Sequence, residues 1–237
     1  MSTLSVLVCI VALAFTVEGA LGFGATVVTV TLGAFFLPIA ELLPAYAPLN
    51  IVLSASIVLR SLKHVDTRLL LRRIAPLMVL GMPLGMLAMR EVDGAVLVRV
   101  YGVMIVGLAG IELVGRLPSP SRRVGNVLLL CAGIVQGAFG TGGPLTVFVV
   151  GKELQGKHAF RATLCALWLL LNSVLVVGFM IDGRIGVASA RTTAWLAVGL
   201  AFGVVAGELV HRRLAPEKFR TVVWSVLAIA GVALALR

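Results

Sequence analysis

Long apolar runs recur from one end of the chain to the other, with only short polar stretches between them. Their length is that of membrane-spanning helices rather than of half-buried strands. The pattern predicts spans at about 44–61, 73–90 and 95–115, and again at about 159–181, 188–210 and 218–236. Two further apolar segments, about 4–37 and 124–151, precede each set of three. Each is interrupted by a glycine-rich stretch: GALGFGAT (Gly19–Thr26) and GAFGTGGP (Gly137–Pro144). Glycine is a poor helix former and proline a worse one in a helix interior, so both stretches predict a break in the helix.

The two breaks echo each other. Gly19, Ala20, Gly22 and Gly24 match Gly137, Ala138, Gly140 and Gly142 at an offset of 118 residues. LGMPLG (Leu80–Gly85) and VGLAFG (Val198–Gly203) keep that offset, and Arg99 and Gly110 match Arg220 and Gly231. Several matches in order at a nearly constant offset indicate an internal duplication. The first repeat covers residues 1–116, the second 122–237, and 117–121 link them.

Composition agrees with the pattern. Of 237 residues, 60% are hydrophobic and 13% charged, about half the charge of a soluble domain, and mean hydropathy is +1.10. Net charge is +10, but the basic residues sit in short loops, which orients a membrane protein and argues against nucleic-acid binding. If each interrupted segment enters and returns on one side, the loops at 60–73, 116–123, 152–161 and 211–220 share a face. They then carry 15 of the 20 Lys and Arg residues. That arrangement satisfies the positive-inside tendency. It makes the repeats inverted, with both termini outside, in a multi-pass inner-membrane protein. The arm Leu4–Glu18 has 15 residues and reaches about 22 Å, short of a ~30 Å core, which favours a re-entrant hairpin. The N-terminus lacks the basic region of a signal peptide, so it reads as a retained segment. Cys9, Cys131 and Cys165 lie in apolar runs and read as packing residues, with neither disulfide nor metal spacing.

Paired interrupted segments at matching positions of two repeats point to a transporter site near the midplane. Glycine lets backbone approach a ligand closely, and the helix beginning after each turn aims N–H groups and a positive dipole end inward. Pro144 suits the first turn of such a helix. The candidate substrate-binding residues are therefore Gly22, Phe23, Gly24 and Ala25 in the first break and Gly140, Thr141, Gly142 and Gly143 in the second. Asn50 and Asn172, at similar places in the following spans, are candidates to reach an anion or to cap broken backbone. Ser54 and Ser173 are weaker ones, because hydroxyls often bond their own helix. Glu18 and Gln136 each directly precede a break. An intramembrane carboxylate is a functional hypothesis by default, so Glu18 is the candidate for proton coupling; its other reading is a cap on nearby N–H groups.

GAFGTGGPLTVFVV (Gly137–Val150) and GALGFGATVVTVTL (Gly19–Leu32) resemble the paired glycine-rich motifs of the sulfite exporter TauE/SafE family, also called 4-toluene sulfonate uptake permeases. The resemblance extends over the whole chain, although Ala25 and Thr26 stand where the family is richer in glycine. It implies an exporter of small sulfur-containing anions, such as sulfite or sulfoacetate, with the lipid bilayer and a small anion as partners. An anion channel of this architecture, or a carrier of a carboxylate, is the alternative. No enzyme is expected: His64, His158 and His211 fall in loops and form no catalytic set. No cofactor or metal is expected, and self-association is left open. Glu112 with Arg116 and Glu208 with Arg212 read as surface pairs. Arg60 and Arg161 read as topology anchors, and Trp168, Trp195 and Trp224 as interfacial or packing aromatics.

Overall fold

A computed structural model describes residues 3–114, 120–151, 153–154, 156–213 and 216–236. The described residues are helical, with no strand among them. The chain runs through α1 (Thr3–Leu21), α2 (Ala25–Gly33) and α3 (Ile39–Ser61). A short α4 (Thr67–Leu69) passes through a π-helical turn (Leu70–Ile74) into α5 (Ala75–Glu91), followed by α6 (Gly94–Val114). The second half repeats the order: α7 (Arg122–Phe139), α8 (Gly143–Val150), α9 (Lys157–Ile181), α10 (Val187–Arg213) and α11 (Pro216–Ala235). Six helices among the described residues are long and apolar enough to cross a membrane: α1, α3, α4 with α5, α6, α9 and α10. Five of them are expected spans; the sixth is α1, expected as a hairpin arm, and the expected span at 218–236 is not among them. α3 begins before the expected 44 because it takes Pro44 and Pro48 into its interior. α1 has 19 residues, about 28 Å, and meets the length of a span by itself.

Both breaks fall where the glycine motifs predict, at residues 22–24 and 140–142. The broken helices are held by the opposite halves of the chain. α1 lies along α10, with Val8, Ala12 and Thr16 facing Gly199, Gly203 and Gly207 in turn, so the two helices run in the same direction. α7 lies along α5 in the same way, with Gly133 against Met78, Gly137 against Met82, and Gly85 against Ile134 and Ala138. α6 and α11 run antiparallel, with Gly102 beside Leu234 and Ile105 beside Gly231. α3 and α9 also run antiparallel: Leu43 and Leu175 meet at Gly140, and His64 meets His158 at the other end. The repeated LGMPLG and VGLAFG motifs thus gain a role. Gly81 and Gly85 seat α7, and Gly199 and Gly203 seat α1.

Small residues at such faces let helix backbones approach where lipid supplies no hydrophobic drive for association. On α5 the opposite face, Leu80, Leu84 and Leu87, is exposed and apolar. At Gly85 an added methyl group would overlap the carbonyl oxygen of Ile134. At Gly110 on α6 it would meet nothing within 4 Å among the described residues. Gly85→Ala is therefore expected to destabilise the protein by about 1–3 kcal/mol, lowering the melting temperature in detergent by several degrees. Gly110→Ala should leave it equal or slightly higher, since alanine is the better helix former. Equal melting temperatures for the two variants would contradict the seat role of Gly85.

Candidate functional site

A break inside a membrane protein exposes carbonyls on one side and N–H groups on the other, and each needs a partner. The first break turns through left-handed Gly22 (φ 84°) and Gly24 (φ 102°), the second through Gly140 (φ 66°). Glycine adopts these angles without the strain other residues would carry. The carbonyls freed at the first break are taken by side chains from other helices. Trp168 Nε1 donates to the Gly22 carbonyl at 2.9 Å. His211 Nδ1 lies 2.8 Å from the Ala20 carbonyl, which makes it the protonated ring nitrogen.

One N–H group at each break is taken by a side chain, by Glu18 at the first and Gln136 at the second. Ala25 N–H donates to Glu18 Oε2 at 3.3 Å, and Gly142 N–H donates to Gln136 Oε1 at 2.8 Å. Both side chains are almost wholly buried. Asn50 and Asn172 join the two caps. Asn50 Nδ2 donates to Glu18 Oε1 (3.0 Å) and Oε2 (2.9 Å), Asn172 Nδ2 to Asn50 Oδ1 (2.8 Å), and Gln136 Nε2 to Asn172 Oδ1 (3.2 Å). Ser54 Oγ donates to Asn50 Oδ1 at 3.2 Å, and Tyr46 OH accepts from Asn50 Nδ2 at 3.0 Å.

Between the breaks lies a narrow cavity of about 10 Å³, the room one water molecule needs. Of the residues singled out in the sequence, Glu18, Gly24, Asn50, Gly140, Thr141, Gly143 and Asn172 line it. Gly22, Phe23, Ala25 and Gly142 stand behind this wall; Phe23 packs edge-on against Phe160. Thr141 Oγ1 is buried and has no hydrogen-bond partner among the described residues, Tyr101 being the nearby hydroxyl. Ser173 bonds the carbonyl of Leu169 in its own helix and takes no part.

Four lining residues, Thr26, Val27, Gln136 and Trp168, were not candidates from the sequence. Gln136 aligns with Glu18 at the 118-residue offset, which foreshadowed its matching role as a cap. Trp168 reads as an interfacial or packing aromatic, yet it is a buried donor to the first break. Its place four residues before Asn172, on one face of α9, was the available signal. Trp224 is buried, and Trp195 lies on the exterior.

Other expectations are corrected by the structure. Cys9 is exposed, so it is not a packing residue; Cys165 is buried and Cys131 intermediate. His158 and His211 belong to α9 and α10 rather than to loops. With His64 they form a row, ring centres 5.7 Å apart at each step, the first pair tilted and the second edge-on. Arg161 is more than an anchor: it abuts Gly22 and pairs with Glu208 at 3.1 Å, which also pairs with Arg212 at 2.9 Å. Arg60 is exposed. Arg116 lies outside the described residues, and the expected Glu112 pair with it, as do 117–119 of the linker.

A model of the sulfite exporter TauE/SafE family matches residues 7–234. Comparison with curated proteins and with solved structures finds no match.

Trp168→Phe keeps the ring but leaves the Gly22 carbonyl without its donor. The expected loss is about 1–3 kcal/mol, read as a lower melting temperature. A larger loss than for Trp195→Phe on the exterior is predicted; equal losses would show that the first break does not depend on this bond.

Proposed function

Since the chain belongs to the sulfite exporter TauE/SafE family, a family of membrane transporters, we propose that it exports a small sulfur oxyanion, sulfite or a sulfonate, by alternating access at the two glycine breaks. The observation that carries this reading is the meeting of both breaks at one buried cavity. The starts of α2 and α8 supply N–H groups beyond those capped by Glu18 and Gln136, since the first four in any helix lack intrahelical partners. The Thr141 hydroxyl adds a donor without a partner. Gly22, Phe23, Ala25 and Gly142 shape the breaks from behind, and Asn50 and Asn172 span the cavity.

The repeats, 1–116 and 122–237 about the 117–121 linker, are read as inverted. The exchange of partners supports this: α1 on α10 and α7 on α5 run parallel, while α3 with α9 and α6 with α11 run antiparallel. Two halves of opposite orientation related by a two-fold axis produce that set of directions. α1–α2 and α7–α8 then enter and return on their own sides, with α2 and α8 covering only about half of the core. Because each broken helix is seated on the other half, the bodies that rock are mixed: α1, α2 and α10 against α5, α7 and α8. The present cavity admits a water but not a sulfite ion, so loading requires these bodies to part.

Glu18 faces the cavity. An ionised carboxylate there repels an anion, and a protonated one does not. Proton coupling through Glu18 follows. Its neighbours are Ala25 on α2, Tyr46, Asn50 and Ser54 on α3, and Cys165 on α9; Tyr46 and Cys165 are the titratable ones. On α10, Gly203 and Gly207 pack against α1, with Glu208 and His211 beyond them.

The test is counterflow of a simple sulfonate, which stays ionised across the range, in vesicles holding the purified protein. Saturable accumulation that strengthens as pH falls is expected for the wild type. Glu18→Gln should still bind the anion but give a flat pH profile. An unchanged profile would remove Glu18 from the coupling role, and flux that never saturates would make the protein a pore.

A further inference from the structure

The two capped breaks are equal in place but unequal in chemistry: Glu18 at one, Gln136 at the other. The hydrogen bonds between them run in one direction. Gly142 N–H donates to Gln136, Gln136 to Asn172, Asn172 to Asn50, and Asn50 to Glu18. Ala25 N–H donates to Glu18 from the far end. Both ends of the chain are therefore backbone donors. A primary amide offers one oxygen and one NH2 group, so each amide passes the direction on. Starting from Gly142, the Gln136 oxygen must face the N–H, its NH2 must face the Asn172 oxygen, and so on to the Asn50 NH2. The residue that meets this NH2 must also accept from Ala25. Only an acceptor on both sides can do so, and an ionised carboxylate is one.

We infer that this Glu/Gln inequality sets the direction of the chain, and that the chain closes only when one of its four residues, and no more than one, is a carboxylate. Glutamine at both breaks would leave two NH2 groups face to face in a buried site, and glutamate at both would leave two oxygens opposed. The hydroxyls of Ser54 and Tyr46 rotate to suit either orientation of Asn50, so they do not fix the direction. Gln136, Asn172 and Asn50 are positioning residues in this scheme. The crossing from one half of the chain to the other is the Asn172–Asn50 bond, so the state of Glu18 in the first half is felt at Gly142 in the second.

The rule places no demand on which residue carries the carboxylate. Measured at one fixed alkaline pH on the purified full chain without substrate, Glu18→Gln is expected to lower the melting temperature by about 5 °C. Asn50→Asp alone, which adds a second carboxylate, should do likewise. The doubles E18Q/N50D, E18Q/N172D and E18Q/Q136E each restore a single carboxylate, and each should regain most of the loss. Independent structural damage would instead add up in a double variant. If E18Q alone cannot be purified, recovery of folded protein in a double serves as the same readout. An E18Q protein as stable as wild type, or three doubles no more stable than E18Q, overturns the inference. The measurement needs no transport, so its failure leaves the transport reading standing, and a failure of transport leaves this one standing.

Discussion

Backbone opened inside a membrane has no water to turn to, and the arrangement of this protein follows from satisfying it. Two helices are broken, and several of the freed groups are met by side chains. Trp168 and His211 take carbonyls of the first break, and Glu18 and Gln136 take N–H groups of α2 and α8. An open backbone stretch kept in place by this many buried partners is a built feature. The same partners set the chemistry of the space between the breaks, because a side chain that caps a helix also presents its remaining atoms to the cavity.

The seating of the broken helices is the second consequence. A helix that stops at a glycine turn inside the protein is held by close contact along one side. The glycines of α5 and α10 provide that contact. Each seat lies in the half of the chain opposite to the helix it holds, which ties the halves together and places α3 and α9, with Asn50 and Asn172, at the centre. On the transport reading proposed above, the cavity opens by moving these mixed pairs of helices relative to one another.

Much of this was legible in the sequence. Glycine clusters at a fixed offset placed both breaks inside eight-residue stretches, because few other residues tolerate the left-handed turns at Gly22, Gly24 and Gly140. Five of the six expected spans followed from apolar length, whereas α1, expected as a hairpin arm, also has the length of a span, and the segment at 218–236 is not among the six. What the pattern could not tell was which face of a span looks inward, since lipid and protein core are equally apolar: Leu80 and Met82 read alike, yet one is exposed and the other buried. Packing partners were hidden for the same reason, and so was Cys9 on the exterior. The polar site was half legible. Glu18, Asn50 and Asn172 stood out as polar residues in apolar runs, but Trp168 did not, because an indole fits both an interface and a buried hydrogen bond.

At the centre of the account is an anion held between the starts of α2 and α8, with the Thr141 hydroxyl as a donor. Its most direct measurement is the melting temperature of the purified protein titrated with sulfite, sulfate, thiosulfate, sulfoacetate and simple carboxylates. A ligand that binds the folded state stabilises it by about 2.7 kcal/mol at a hundredfold excess over Kd. A saturable rise is expected with at least one sulfur oxyanion, weakened in Thr141→Val. No shift with any of the anions, or an equal shift in Thr141→Val, would contradict it.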